Sequence, residues 1–222
     1  YLIEAGPRLL AGMSEESSAH AEQFLREMGV NILLNKRVVD YRDHKVVLED
    51  GTEIATRTFI WVSGVTGVTI GNLDASLIGR GGRIKVDSFN RVEGMNNVFA
   101  IGDQCIQVAD EDYPNGHPQL AQVAIQQGEL LAKNLVRMEK GREMKPFHYR
   151  NLGSMATVGR NRAVAEFSKV KMQGWFAWVM WLVVHLRSIL GVRNKVIVLL
   201  NWVWNYFTYD QSMRMIAVSY TH

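Results

Sequence analysis

The chain has 222 residues, enough for one large domain or two small ones and for a buried core. With 47% hydrophobic residues, 21% charged residues and four prolines, its composition is globular and excludes an intrinsically disordered chain. The net charge is only +3, but the acidic residues lie mostly before position 145 and the basic excess follows it.

Tyr1-Leu2-Ile3-Glu4 reads as a short apolar strand already in progress, as expected of a piece whose first half lies upstream. Gly6-Pro7 punctuates it. Ser14 is an N-cap candidate with Glu15 and Glu16 in the first turn. Ala21, Phe24, Leu25 and Met28 follow at helical spacing, with Gly29 at the stop. Residues 30–34 form the next strand, giving strand-helix-strand, the unit of a parallel sheet. Alternating runs at 37–41 and 45–49 flank Asp43-His44, and Asp50-Gly51 is a hairpin signal leading into 52–55. An apolar strand is predicted over 58–62, running into Ser63-Gly64, and a glycine cluster from 64 to 82 suggests a crossover between domains. Residues 83–86 and 97–101 read as strands, the second delivered into Gly102-Asp103, and 106–117 as a polar loop. Pro118 is predicted to open a helix reaching about Lys140, with Leu120, Ala124, Leu131 and Leu135 as its buried face. Short strands or turns are expected over 147–172.

Cys105 is the sole cysteine, so no internal disulfide or thiolate zinc site can form, which fits a reducing compartment. It reads as a small buried hydrophobe rather than a nucleophile. His117 and His148 stand apart in the sequence and read as structural.

A buried strand ending in Gly-Asp would bring a carboxylate to the carboxyl edge of a parallel sheet, where open α/β sheets bind cofactors. Gly102 would admit a ligand to the backbone, and Asp103 would accept hydrogen bonds from sugar or ribitol hydroxyls. Gly-Asp is also a common plain turn. The following helix adds weight: its N-terminus offers backbone N–H groups suited to the electron-rich edge of a flavin ring. Gln119, Gln122 and Gln126 form a stripe starting at that end; the alternative is a solvated face.

NNVFAIGD (96–103), PQLAQVAIQQGELLAKNL (118–135) and YRNLGSMATVGRNRAVAEF (149–167) resemble the type II NADH:quinone oxidoreductases, single-subunit FAD-dependent flavoproteins. LIEAGPRLL (2–10) and FIWVSG (59–64) look like that family too. The resemblance implies that Gly102 and Asp103 hold the FAD ribitol and that the backbone at Ala121 and Gln122 meets the flavin pyrimidine edge. It also implies that Gln122, Ile125 and Gln126 line the quinone site, with Gln122 and Gln126 in the catalytic role. Glu4 would bind the adenosine ribose of NADH, and Ser63-Gly64 would lie where the chain returns to the flavin domain. Two departures stand out. Neither Gly-x-Gly-x-x-Gly fingerprint is within the chain; in this family both lie upstream. Leu152 stands where many relatives carry a basic residue near the flavin.

Five of the six tryptophans fall between 175 and 204. Two apolar runs, 175–186 and 196–207, are each too short to span a bilayer, which needs about twenty residues. His185, Arg187, Arg193 and Lys195 lie between them; Arg160, Arg162, Lys169 and Lys171 precede them. Trp on one side and basic residues on the other predict helices lying in an anionic membrane interface.

The expectation is an α/β, Rossmann-like, partial two-dinucleotide-binding-domain flavoprotein with parallel sheets, followed by a C-terminal amphipathic helical membrane-anchoring region. Residues 1–64 would be the second half of an NADH-binding domain, 65–146 the C-terminal part of an FAD-binding domain, and 147–222 the membrane-surface region. The activity would be electron transfer from NADH through FAD to a membrane quinone, at the cytoplasmic face of the inner (plasma) membrane. A homodimer through the C-terminal region is expected and no nucleic-acid partner; the isolated piece is expected to be inactive. The rival enzyme is a sulfide:quinone reductase, which would need redox cysteines. The rival of another class is a non-catalytic membrane-docking or dimerisation piece.

Overall fold

The computed structural model describes residues 1–208 apart from Thr69, Lys169 and Leu190. The expectations placed on Lys169 and on residues 209–222 therefore lie outside the described residues. Two compact units form: Tyr1–Arg57 with the described residues from Gly153 onward, and Thr58–Leu152.

In the first unit, β1 (Leu2–Ile3) and β2 (Ile32–Leu33) pair in parallel, Leu2 opposite Ile32. Helix α1 (Glu15–Glu27) is their crossover. Its boundaries follow local chemistry. Ser14 caps it from an extended conformation and accepts the Ser17 N–H, while Glu15 and Glu16 occupy the positive end. Gly29 leaves the helix with φ +81°. The buried face differs from the predicted one at its end, because Met28 is the C-cap and is exposed, whereas Ser17 and Ser18 are buried.

Strands β3 (Val38–Arg42), β4 (Lys45–Leu48) and β5 (Glu53–Ala55) form the predicted antiparallel meander. Asp43 and His44 both take positive φ, 50° and 58°, as a two-residue hairpin loop of the mirror-image type requires. β4 is the buried strand, through Val46, Val47 and Leu48. A second antiparallel sheet has the order β10 (Val170–Gln173), β9 (Ala163–Phe167), β8 (Ser154–Thr157). Central β9 turns Ala163 and Ala165 toward Ala177 of α3 (Gly174–Ser188), and three small residues let helix and sheet approach closely.

The same sheet is fastened to α1. The Glu166 carboxylate accepts the Ser14 N–H at 3.0 Å and the Ser17 hydroxyl at 2.6 Å, and also meets the Ser14 hydroxyl. Arg162 pairs with Glu27 at 2.6 Å and lies over the Phe24 ring, and Lys171 reaches Glu16 at 3.0 Å.

Helix α4 (Val192–Thr208) follows α3 after a short turn. No helix among the described residues is long and apolar enough to cross a membrane. The expected division into a Trp side and a basic side is not what the helices show. Trp175 and Phe176 are both exposed at successive positions on α3, so apolar side chains face more than one direction. The cations collect where the helices join, at Arg187, Arg193 and Lys195, because apolar residues fill nearly every helical position in between.

In the second unit, β6 (Ile84–Val86) and β7 (Cys105–Gln107) pair in parallel over a core of Ile84, Val86, Val92, Ala100 and Cys105. Three expectations are corrected here. Residues 58–62 are not a strand: none of the described strands pairs with them, and Trp61 and Val62 stay 60% and 83% exposed. Apolar composition favours burial, but a strand also needs a partner for its backbone groups. Residues 97–101 reduce to one antiparallel bridge, Arg91 to Phe99, flanked by the Val92 N–H on the Val98 carbonyl and the Ala100 N–H on the Asn90 carbonyl. The predicted loop from 106 begins instead inside buried β7.

Helix α2 (Ala121–Glu139) starts three residues after Pro118, since Leu120, at φ −130° and ψ 143°, is still extended. Its buried residues are Val123, Gln127 and Asn134, with half-buried Leu130 on the same stripe, while Leu120 and Leu135 are exposed. The helix is rotated from the predicted face because Gln127 and Asn134 find internal backbone partners. Asn134 bonds both the N–H and the carbonyl of Lys145. Gly67 is required by a close backbone crossing: its N–H donates to the Gly81 carbonyl at 2.8 Å, and a Cβ there would sit 2.3 Å from the Gly82 oxygen.

Candidate functional site

Of the sequence-predicted residues of the second unit, Gly102 and Asp103 form one turn beside the start of α2. Gly102, at φ +65°, opens a single 3-10 turn, Gly102–Gln104, between extended Ile101 and β7. Asp103 thus lies at the entry to a paired strand, not at the exit of one as predicted, because 97–101 makes no ladder that could deliver it there.

The turn is held against the first two turns of α2. Buried Gln127 accepts the Gly102 N–H at 2.6 Å, and Gln119 donates to the Asp103 carbonyl at 3.0 Å. A Cβ on Gly102 would lie 3.2 Å from the Ala124 Cβ, so glycine serves both the left-handed φ and this approach. Gln104 takes the Val68 N–H at 2.9 Å and returns a bond to the Val68 carbonyl at 2.6 Å. Gln126 treats Arg150 the same way, at 3.1 and 2.9 Å. Gln122 accepts the Leu152 N–H at 3.1 Å. A glutamine amide has the donor and acceptor of a peptide group, so these side chains replace missing sheet partners for loop backbone. Gln104 and Gln127 were not singled out by sequence reasoning; for Gln127 the 123/127/130/134 spacing of the buried stripe was the available signal.

Asp103 itself is exposed, and among the described residues no donor reaches its carboxylate. Leu120 provides no side-chain cap for α2. Ile125 projects from the same helix and is exposed, as is Leu152. Ser63 and Gly64 lie exposed in the segment without regular structure, the Gly64 N–H donating to the Val62 carbonyl at 2.9 Å. Glu4 belongs to the other unit, where one carboxylate oxygen accepts the Gly6 N–H at 2.7 Å.

Cys105 is buried beside this turn. Burial pushes its thiol up, against weaker opposing contributions from Gln127, Arg83 and Asn90, so it remains a thiol packed in the core. His117, distant from other histidines in sequence, is paired: its Nε2 lies 2.9 Å from Asp110 Oδ2, both side chains being buried. Burial opposes the Asp110 charge, but hydrogen bonds from His117 and the Tyr149 and Asp112 N–H groups prevail and hold the carboxyl below its usual value. The pair fastens the 110–117 loop to the 147–149 segment. Among the described residues no group of His, Cys, Asp and Glu could hold a metal ion.

A parallel-stranded α/β framework with a Gly-Asp turn braced against an uncapped helix is the framework of Rossmann-like flavoproteins. Residues 1–128 match the family model described as pyridine nucleotide-disulphide oxidoreductase, and the chain belongs to that family. Residues 151–209 match a second model, the NDH2 C-terminal domain. The type II NADH:quinone oxidoreductase NdhA of Mycobacterium tuberculosis is 36% identical over 214 residues, covering 90% of this chain and 44% of that protein. The chain thus spans less than half the length of this relative. The structure of NDH2 from Plasmodium falciparum in complex with NADH superposes with a TM-score of 0.81 at 18% identity, over 93% of this chain and 57% of the other. The sulfide:quinone oxidoreductase of Aquifex aeolicus superposes with a TM-score of 0.66 at 16% identity, over 94% and 54%. At these identities the likeness is one of fold.

Proposed function

We propose that the protein carrying this chain is an FAD-dependent enzyme that passes electrons from NADH to a membrane quinone. The observation that carries the proposal is the Gly102-Asp103 turn clamped to the start of α2, with the exposed Asp103 carboxylate beside it. This donor set fits the group: an acceptor for ribitol hydroxyls at Asp103, and first-turn N–H groups at Ala121 and Gln122 for the electron-rich pyrimidine edge. When bound, FAD supplies a ring that exchanges a hydride with nicotinamide and electrons with quinone. The chain's own residues bind and orient. Glu4 accepts from the NADH ribose, and Ser63-Gly64 lies where the chain passes between domains. Ile125, with the Gln122 and Gln126 side chains, borders the quinone; the glutamines also hold the 150–152 backbone at that border.

Residues 1–64 then supply part of the NADH-binding domain, 65–146 part of the FAD-binding domain, and 147–222 the region that meets the membrane. Support for the last comes from α3 and α4, whose exposed Trp, Phe and Val side chains end at a basic turn. We place the protein peripherally on an anionic bilayer, at the cytoplasmic face of the inner (plasma) membrane, with self-association through its C-terminal region. The NdhA relative is named for the same activity and is similar over 90% of this chain. Cysteine redox chemistry finds no support in buried Cys105.

The test is purification of the protein with its visible flavin absorption, followed by NADH:quinone turnover. Asp103→Ala is expected to lose flavin on gel filtration. Gln122→Leu is expected to lower quinone turnover while NADH still reduces the flavin at near wild-type rate. A colourless wild-type protein would sink the flavoprotein reading; equal loss of both half-reactions in Gln122→Leu would remove the quinone assignment.

A further inference from the structure

Helices α3 and α4 leave a groove of about 340 Å³ between them. Trp178, Leu182 and Leu186 form one wall, Leu199, Trp202 and Tyr206 the other, and almost no polar surface faces it. Trp178 lies against Tyr206 and Trp181 against Trp202, with ring centroids 5.7 and 6.2 Å apart. These pairings make the helices antiparallel, so their joined ends lie beyond the Leu186 and Leu199 end of the groove. That end carries Arg187, Arg193 and Lys195, and residues 174–208 contain no Asp or Glu. The other end is finished differently: the Arg160 guanidinium donates to the Asn205 and Tyr206 carbonyls at 2.6 and 2.5 Å, satisfying the end of α4.

A groove apolar along its length and cationic at one mouth selects an amphiphile with an apolar chain and an anionic head. A peptide or polar cofactor would bury hydrogen-bonding groups against walls that offer no partner. A second copy of α3 or α4 would bring further cations and no carboxylate to the basic end of the groove. We propose that this groove seats one acyl chain of an anionic glycerophospholipid, its phosphate held by Arg187, Arg193 and Lys195. The inference rests on the membrane attachment proposed above but claims more, a defined site for one lipid in place of diffuse adhesion.

The probe is monomeric lysophosphatidylglycerol, titrated below its micelle concentration into the purified protein and followed through tryptophan fluorescence. Binding is expected to saturate at one lipid per chain, and zwitterionic lysophosphatidylcholine to bind at least about fivefold more weakly. Leu182→Trp, which fills the groove, is expected to weaken binding about tenfold or more. It should leave sedimentation with vesicles of equal parts phosphatidylcholine and phosphatidylglycerol intact. Arg193→Glu, which leaves the groove untouched, should erase the preference for the anionic head while retaining the lysophosphatidylcholine affinity. Undiminished binding in Leu182→Trp, or equal affinity of wild type for the two lysolipids, overturns the seat. So does a groove-filled variant that changes oligomeric state while keeping its lipid affinity. If wild type binds one lysolipid yet ignores anionic vesicles, the seat stands and membrane attachment falls. Sedimentation with vesicles without saturable lysolipid binding gives the reverse.

Discussion

Glu166→Gln probes the joint between β9 and the start of α1. The carboxylate there receives the Ser14 N–H and the Ser14 and Ser17 hydroxyls, at the positive end of a helix. Burial by itself would raise the Glu166 carboxyl; hydrogen bonds from Ser14 and Ser17, aided by the Lys171 charge, outweigh it and hold the group below its usual value. Glutamine preserves the shape and one acceptor but removes the charge. Charge-assisted hydrogen bonds are about twice as strong as neutral ones, and a partly buried anion at a helix N-terminus contributes up to about 2 kcal/mol. The expected loss at neutral pH is therefore about 1–2 kcal/mol, or about 2–8 °C in melting temperature for a chain of this size. Because the folded carboxyl is depressed, its stabilisation is complete above the unfolded pKa and disappears as pH falls through the folded one. Thermal unfolding of wild type and variant, followed by far-ultraviolet circular dichroism, should show a gap at neutral pH that closes in acid. Hydrogen exchange should show the loss in the first turns of α1. A gap of the same size at both pH values, or none at neutral pH, would refute the charge argument.

Gln127→Leu, nearly isosteric, strips the buried Gly102 N–H of its acceptor and should cost about 1–3 kcal/mol in urea unfolding. Unchanged stability would mean the turn is not held from within α2. Gly67→Ala would place a methyl carbon 2.3 Å from a backbone oxygen that cannot rotate away, and should lower the melting temperature through about 1–3 kcal/mol of strain. A variant melting with wild type would show that the crossing is free to shift. Asp110→Asn removes a charge favoured by His117 and two backbone N–H groups. Its destabilisation should likewise be largest at neutral pH and fade in acid; a pH-independent loss would assign Asp110 a purely steric role.

The parts of this protein that sequence determined are those governed by neighbours along the chain. Ser14 ends one conformation and begins another through a hydrogen bond to Ser17, three residues on. Asp43-His44 and Gly51 choose their turns through backbone conformations available locally. Of the candidate site, Gly102, Asp103, Ala121 and Gln122 stand in a recognisable sequence motif, while the start of α2 at Ala121 rather than Pro118 was decided by the fold. Tertiary structure decided whatever depended on a distant partner. The apolar residues 58–62 could not become a strand without one to pair with, and 97–101 kept a single bridge for the same reason. The face of α2 was settled by loop backbone at Gly102 and Lys145, whose N–H groups needed Gln127 and Asn134 inside. Glu166 meets α1 from about 150 residues away, and no periodicity along the chain announces that meeting. Short-range chemistry carries the beginnings and ends of elements; which of them pair, and which face each buries, follows from polar groups finding partners across the fold.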